Sequence, residues 1–98
     1  MPTEKWEQLR RMVNAKMPRF MEAISTLDYS PDLFETQLVI LIKLRFLVSE
    51  IAVLLDVPTY TLTKRRKRLL KLMFKTDGTA DEFDRRISVL GIDKTDAF

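Results

Sequence analysis

The segment from Leu33 to Leu44 most constrains what this chain can fold into. Leu33, Phe34, Leu38, Val39, Ile40, Leu41, Ile42 and Leu44 are apolar, and on a helix they cover nearly the whole circumference. A helix that is apolar all round has to be surrounded by the rest of the molecule. The run 38–42 is β-branched enough to suit a strand as well, and periodicity alone does not separate the two. No alternating partner strand or hairpin turn lies nearby, so a helix ending near Phe46 is expected. Ahead of it, Asp28-Tyr29-Ser30-Pro31-Asp32 breaks and restarts the chain. Ser30 is the predicted N-cap, Pro31 suits the first helical position, and Asp32 suits the positive end of the dipole.

The other segments supply what must surround that helix. Trp6, Leu9, Val13, Met17, Phe20, Ile24 and Leu27 recur at three- and four-residue steps and make one apolar stripe. Pro18 interrupts it, which implies either one kinked helix or two helices, about 3–16 and 18–27. A short helix is predicted over about 48–55, with Ile51, Leu54 and Leu55 apolar, and Asp56-Val57-Pro58 breaks it. A longer helix then spans about 59–74, its apolar side formed by Leu62, Leu69 and Met73 with Leu70 and Leu72. Thr79-Ala80-Asp81-Glu82 matches a capping box. It opens a last helix that turns Phe83, Ile87 and Leu90 inward and ends at Gly91. Residues 92–98 read as a polar tail. The expectation is one all-α domain over 1–98, of five to six helices: an N-terminal segment 3–27, a core 31–74, a C-terminal helix 79–91 and the tail. At 46% hydrophobic residues the chain can bury a core.

Composition excludes several chemistries. There is no cysteine, so disulfides, thiolate metal sites and cysteine nucleophiles are absent, as suits a reducing compartment. There is no histidine, the commonest general base near neutral pH and the commonest transition-metal ligand. Two glycines, Gly78 and Gly91, leave no Gly-rich phosphate loop. The N-terminus carries Glu4 and Glu7 and lacks the apolar core of a signal peptide. The longest apolar stretch, 38–42, is far short of a membrane span. No enzymatic activity, metal, cofactor, small-molecule ligand or membrane association is expected, and the expected location is cytoplasmic. Trp6, Met17, Phe20 and Met21 read as packing residues. Asp81, Glu82, Asp84 and Asp93 read as capping and solvent-facing charges.

Charge is concentrated. Seven basic residues and no acidic one lie between Thr59 and Lys75, while the rest of the chain holds ten basic and fourteen acidic residues. The stretch is therefore strongly cationic, on a chain that is slightly anionic elsewhere. Just before it, the spacing Ile51-Ala52, Leu55, Val57, Leu62 is that of a helix-turn-helix. Ile51, Leu55 and Leu62 supply the buried faces, small Ala52 lets two helices cross closely, and Val57 plugs the turn into the core. Leu69 and Met73 continue the inward side. With Leu62 inward and ~100° per residue, Tyr60, Lys64, Lys67 and Lys71 point away from the core, and Thr63 and Arg68 lie at the flanks. Residues near the N-terminal end of such a helix enter the major groove. Thr59, Tyr60, Thr63 and Lys64 are thus expected at base edges, and Lys67, Arg68 and Lys71 at phosphates. For Arg65 and Arg66 two roles are open: DNA contact, or pairing with an acid such as Glu50 or Asp56.

Glu50-Ile51-Ala52, Leu55, Val57, Thr61-Leu62 and the Leu-rich end at Leu69, Leu70 and Met73 resemble the LuxR-type helix-turn-helix domain, and similarly region 4 of bacterial sigma factors. The resemblance covers roughly 31–75. It looks closest to the variants at the C-terminus of some bacterial sensor-regulators. It implies a transcriptional regulator that binds double-stranded DNA. The chain departs from the family in two places. Arg45-Phe46-Leu47 replaces the usual glycine before the first motif helix. Pro58 replaces the usual polar cap of the second, so that Thr59 caps instead or Pro58 takes the first helical position. The alternative function is a non-catalytic interaction or dimerisation module, or a polymerase-associated factor. The N-terminal stripe likewise has two readings: it folds back onto the motif as extra core, or it pairs with a second copy in a homodimer.

Overall fold

The computed structural model describes residues 3–91; the tail expected over 92–98 lies outside the described residues. Those residues form an all-α domain of six helices: α1 (Thr3–Lys16), α2 (Pro18–Thr26), α3 (Leu33–Lys43), α4 (Val48–Leu55), α5 (Thr59–Phe74) and α6 (Ala80–Val89).

Helix α3 lies at the centre, packed against α1, α4 and α6. Leu38, Val39, Ile40, Leu41 and Ile42 are all buried, so the run that suited a strand is helical. Leu33 is 65% exposed, while Glu35 in the same first turn is buried. The helix does not begin where Ser30 would cap it. Asp32 is the N-cap: its Oδ1 accepts from Glu35 N at 2.8 Å, and Glu35 Oε1 accepts from Asp32 N at 3.0 Å. This reciprocal pair satisfies two backbone donors, whereas Ser30 followed by Pro31 offers no such exchange.

Pro18 divides the N-terminal stripe into two helices, with Met17 between them at φ −133°, ψ 57°. Trp6, Val13 and Phe20 are buried, and Leu9, Met17, Ile24 and Leu27 pack on the same core. The stripe therefore folds back onto α3.

Helices α3, α4 and α5 end alike. Arg45, Asp56 and Lys75 adopt left-handed φ of 70°, 56° and 54°. The amide of the next residue then donates back to the last turn: Phe46 to Leu41 O (3.1 Å), Val57 to Ala52 O (3.0 Å) and Thr76 to Leu70 O (3.5 Å). The expected end of α3 at Phe46 is thus moved back to Lys43. The backbone takes a left-handed residue at Arg45, a conformation that glycine adopts at least cost. At the start of α5 neither expected arrangement holds. Pro58, extended at ψ 152°, occupies the cap position itself, and Thr59 is the first helical residue. In α6 Thr79 Oγ1 accepts from Glu82 N at 3.2 Å, while the Glu82 carboxylate lies toward Arg86, 4.0 Å away. Lys43 joins α3 to the end of α6, donating to Ser88 O at 2.8 Å and Leu90 O at 3.0 Å. No helix of the described residues is long and apolar enough to cross a membrane.

Gly91 has φ +79°, and a Cβ there would lie 2.6 Å from Phe20 Cα. Gly91→Ala should therefore destabilise by about 2–4 kcal/mol, from left-handed strain and overpacking together. Arg45→Gly relieves strain without a clash and should be neutral or stabilising by up to about 1 kcal/mol. Urea denaturation of the two variants checks both signs.

Candidate nucleic-acid interface

Helix α5 has two unlike sides. Leu62, Leu69, Leu70 and Met73 are buried, packed with buried Ile51 and Ala52 of α4. Leu55 and Val57 are partly buried against the same cluster. Thr59, Tyr60, Thr63, Lys64, Lys67, Arg68 and Lys71 are all exposed, so the residues expected to touch DNA share the outward side of one helix. Tyr60 is 66% exposed, with the Lys64 ammonium 5.9 Å from its ring centroid. Thr63 Oγ1 donates to Thr59 O at 3.2 Å, leaving the oxygen lone pairs outward. No side chain caps the first turn and no acid lies in it, so the positive end of the helix dipole is not neutralised there.

Arg65 and Arg66 behave differently from the other cations. Arg66 is 4% exposed and grips Asp84 of α6 with a two-pronged pair, Nε to Oδ1 and Nη2 to Oδ2, both 3.1 Å. Asp81 adds a longer contact at 3.8 Å. Arg65 reaches the other way, donating from Nη1 to Glu35 Oε2 of α3 at 3.3 Å. Its guanidinium lies 5.4 Å from the Phe34 ring centroid. The expected partners were wrong. Glu50 accepts from Leu47 N at 2.7 Å and caps α4, and Asp56 is the left-handed residue of the turn. Asp84, expected to face solvent, is a paired acid.

Pairing leaves Lys64, Lys67, Arg68, Lys71 and Lys75 exposed. None of these five makes an ion pair with another described residue.

Glu35 is the residue that sequence reasoning missed. It is 1% exposed, and its carboxylate is satisfied on every side. Oε1 accepts from the Tyr29 hydroxyl at 2.8 Å and from Asp32 N, and Oε2 accepts from Arg65. The Asp32-x-x-Glu35 spacing was a usable signal, but Ser30-Pro31 drew the cap upstream. The bond to Glu35, then burial, then the charges of Glu35 and Asp32, hold the Tyr29 phenol above its ordinary 10.0, against a lowering pull from Arg68. Burial likewise raises Asp84 above the usual carboxylate value despite the opposing Arg66. Burial, with nearby Arg45, lowers Lys43.

Because the native Tyr29 value is raised, its hydrogen bond contributes stability that is complete below pH 10.0 and lost as pH rises through the native value. In a Tyr60→Phe variant the remaining phenolate absorbance should rise above pH 10.0, and adding Glu35→Gln should bring it down. A transition at or below the ordinary value would contradict the bond. Asp84→Ala leaves Arg66 buried without its main partner and should cost about 2–4 kcal/mol in urea denaturation.

Comparison of the chain with protein-family models, with curated proteins and with solved structures found no match.

Proposed function

We propose that this chain is the DNA-binding domain of a bacterial transcriptional regulator, with α5 lying in the major groove of double-stranded DNA. The observation that carries the reading is the outward side of α5. Four cations, Lys64, Lys67, Arg68 and Lys71, stand there without an acid partner among the described residues, beside Thr59, Tyr60 and Thr63 at its N-terminal end, and Lys75 follows just past its C-terminal end. The short helix α4, the three-residue break 56–58 and α5 follow one another as a helix-turn-helix requires. On this reading Lys67, Arg68 and Lys71 hold phosphates and Lys75 adds a further contact. Thr59, Tyr60, Thr63 and Lys64 face base edges.

A second reading rests on a different surface. Phe46, Leu47 and Val53 are exposed, and Phe46, Ser49, Glu50, Val53 and Leu54 line a shallow groove of about 460 Å³. An interaction module or polymerase-associated factor would use that side rather than α5.

Binding to duplex DNA by fluorescence anisotropy over a range of salt separates the two. With about five phosphates neutralised, log affinity should fall against log salt with a slope of roughly −4 to −5. Lys67→Ala should reduce the slope by about one unit on every sequence. Tyr60→Ala should change the ranking of sequences. An isotherm that is flat with salt, or no binding at low salt, contradicts the proposal and favours the second reading.

A further inference from the structure

We propose that Glu35 is a positioning residue for base readout, acting through Arg65 to fix the rotational setting of α5; this rests on the DNA-binding reading above. Glu35 is too deeply buried to touch DNA. Its effect has to pass through Arg65, which stands next to Lys64 in the sequence and three residues before Arg68.

The geometry supplies a tether on each flank of α5. Arg65 and Arg66 are consecutive, so their side chains leave the helix about 100° apart. One is drawn to Glu35 of α3 and the other to Asp84 of α6. The apolar stripe Leu62, Leu69, Leu70 and Met73 sets how deep α5 sits. Two ion pairs to different helices set its rotation about its own axis. The α3 anchor is rigid, because the Tyr29 hydroxyl and the Asp32 amide hold one carboxylate oxygen and leave the other for Arg65. The Phe34 ring lies against the same guanidinium.

Rotation matters more for bases than for phosphates. A turn of ~15° about a helix of roughly 6 Å radius moves a side chain by about 1.5 Å. That exceeds the tolerance of a base-edge hydrogen bond, whereas a flexible lysine still reaches a phosphate. Stability alone gives a poor account of the pair. Buried ion pairs are often matched or bettered by apolar groups of the same volume, and Arg65 is itself partly exposed.

The test begins with duplexes selected from a random pool by the unaltered chain. Glu35→Gln keeps an acceptor for Tyr29 and Asp32 but removes the negative partner of Arg65. The ratio of affinities for selected over scrambled duplex should fall about tenfold, roughly the effect of one mismatched base pair. Affinity for scrambled duplex and the salt slope should not change. Arg65→Gln leaves Glu35 its other two partners, so it covers the case in which the first variant fails to fold. It should give the same loss of discrimination, and the double variant should be no worse than either single one. Discrimination intact in a variant of lowered urea stability overturns the positioning role, since a purely structural pair would behave so. A salt slope reduced by about one in Arg65→Gln also overturns it, because Arg65 would then be a phosphate contact. If the unaltered chain binds no duplex in a salt-dependent way, the underlying DNA reading falls and the proposal with it.

Discussion

The fold depends on the burial of α3, a helix apolar on almost every side beyond its first turn. Such a helix has no face to offer water, so its neighbours have to enclose it. Here α1, α4 and α6 do so, and the split of the N-terminal stripe at Pro18 lets α2 fold against α1 and bring Phe20 to Lys43 of α3. Fully burying each Leu, Ile or Val of the 38–42 run is worth about 1.5–3 kcal/mol, so this cluster outweighs any single surface interaction. Its rigidity has a consequence at the N-terminal end. Glu35, fixed by the cap of α3, becomes a buried anion in a defined place, and α5 is tied to it.

The cationic helix is then divided by that framework rather than by its own sequence. Arg65 and Arg66 lie toward neighbouring helices and meet Glu35 and Asp84. Burying Arg66 without a bidentate partner would be costly, and Asp84 sits where α6 packs along α5. The remaining cations face water on one side. Charge that looked like a uniform run of seven thus has two parts, one holding the helix and one available to a polyanion.

Much of this was legible beforehand because it rests on local periodicity. The three- and four-residue steps of the stripe from Trp6 to Leu27, the stops at Pro18 and Gly91, and the inward side Leu62, Leu69 and Met73 all follow from helical geometry, and all hold. The outward placement of Tyr60, Lys64, Lys67 and Lys71 follows from the same wheel. What was not legible depends on elements far apart in the chain. Arg65 pairs with a residue thirty positions away and Arg66 with one eighteen away, and no spacing rule reaches that far. The cap of α3 differs from the expected one for a local reason. Ser30, Pro31 and Asp32 all suit a helix start, and the reciprocal bond with Glu35 decided among them. The ends of α3, α4 and α5 use Arg45, Asp56 and Lys75 in left-handed geometry, which no side chain announces as glycine would.

The account turns on the outward side of α5 as the surface that meets DNA, and amide chemical shifts of the labelled chain titrated with a duplex test this most directly. The account predicts shifts concentrated at Thr59, Tyr60, Thr63, Lys64, Lys67, Arg68 and Lys71, fading as salt is raised, with α1 and α2 unmoved. Shifts confined to Phe46, Ser49 and Val53, or an unchanged spectrum at low salt, would contradict it.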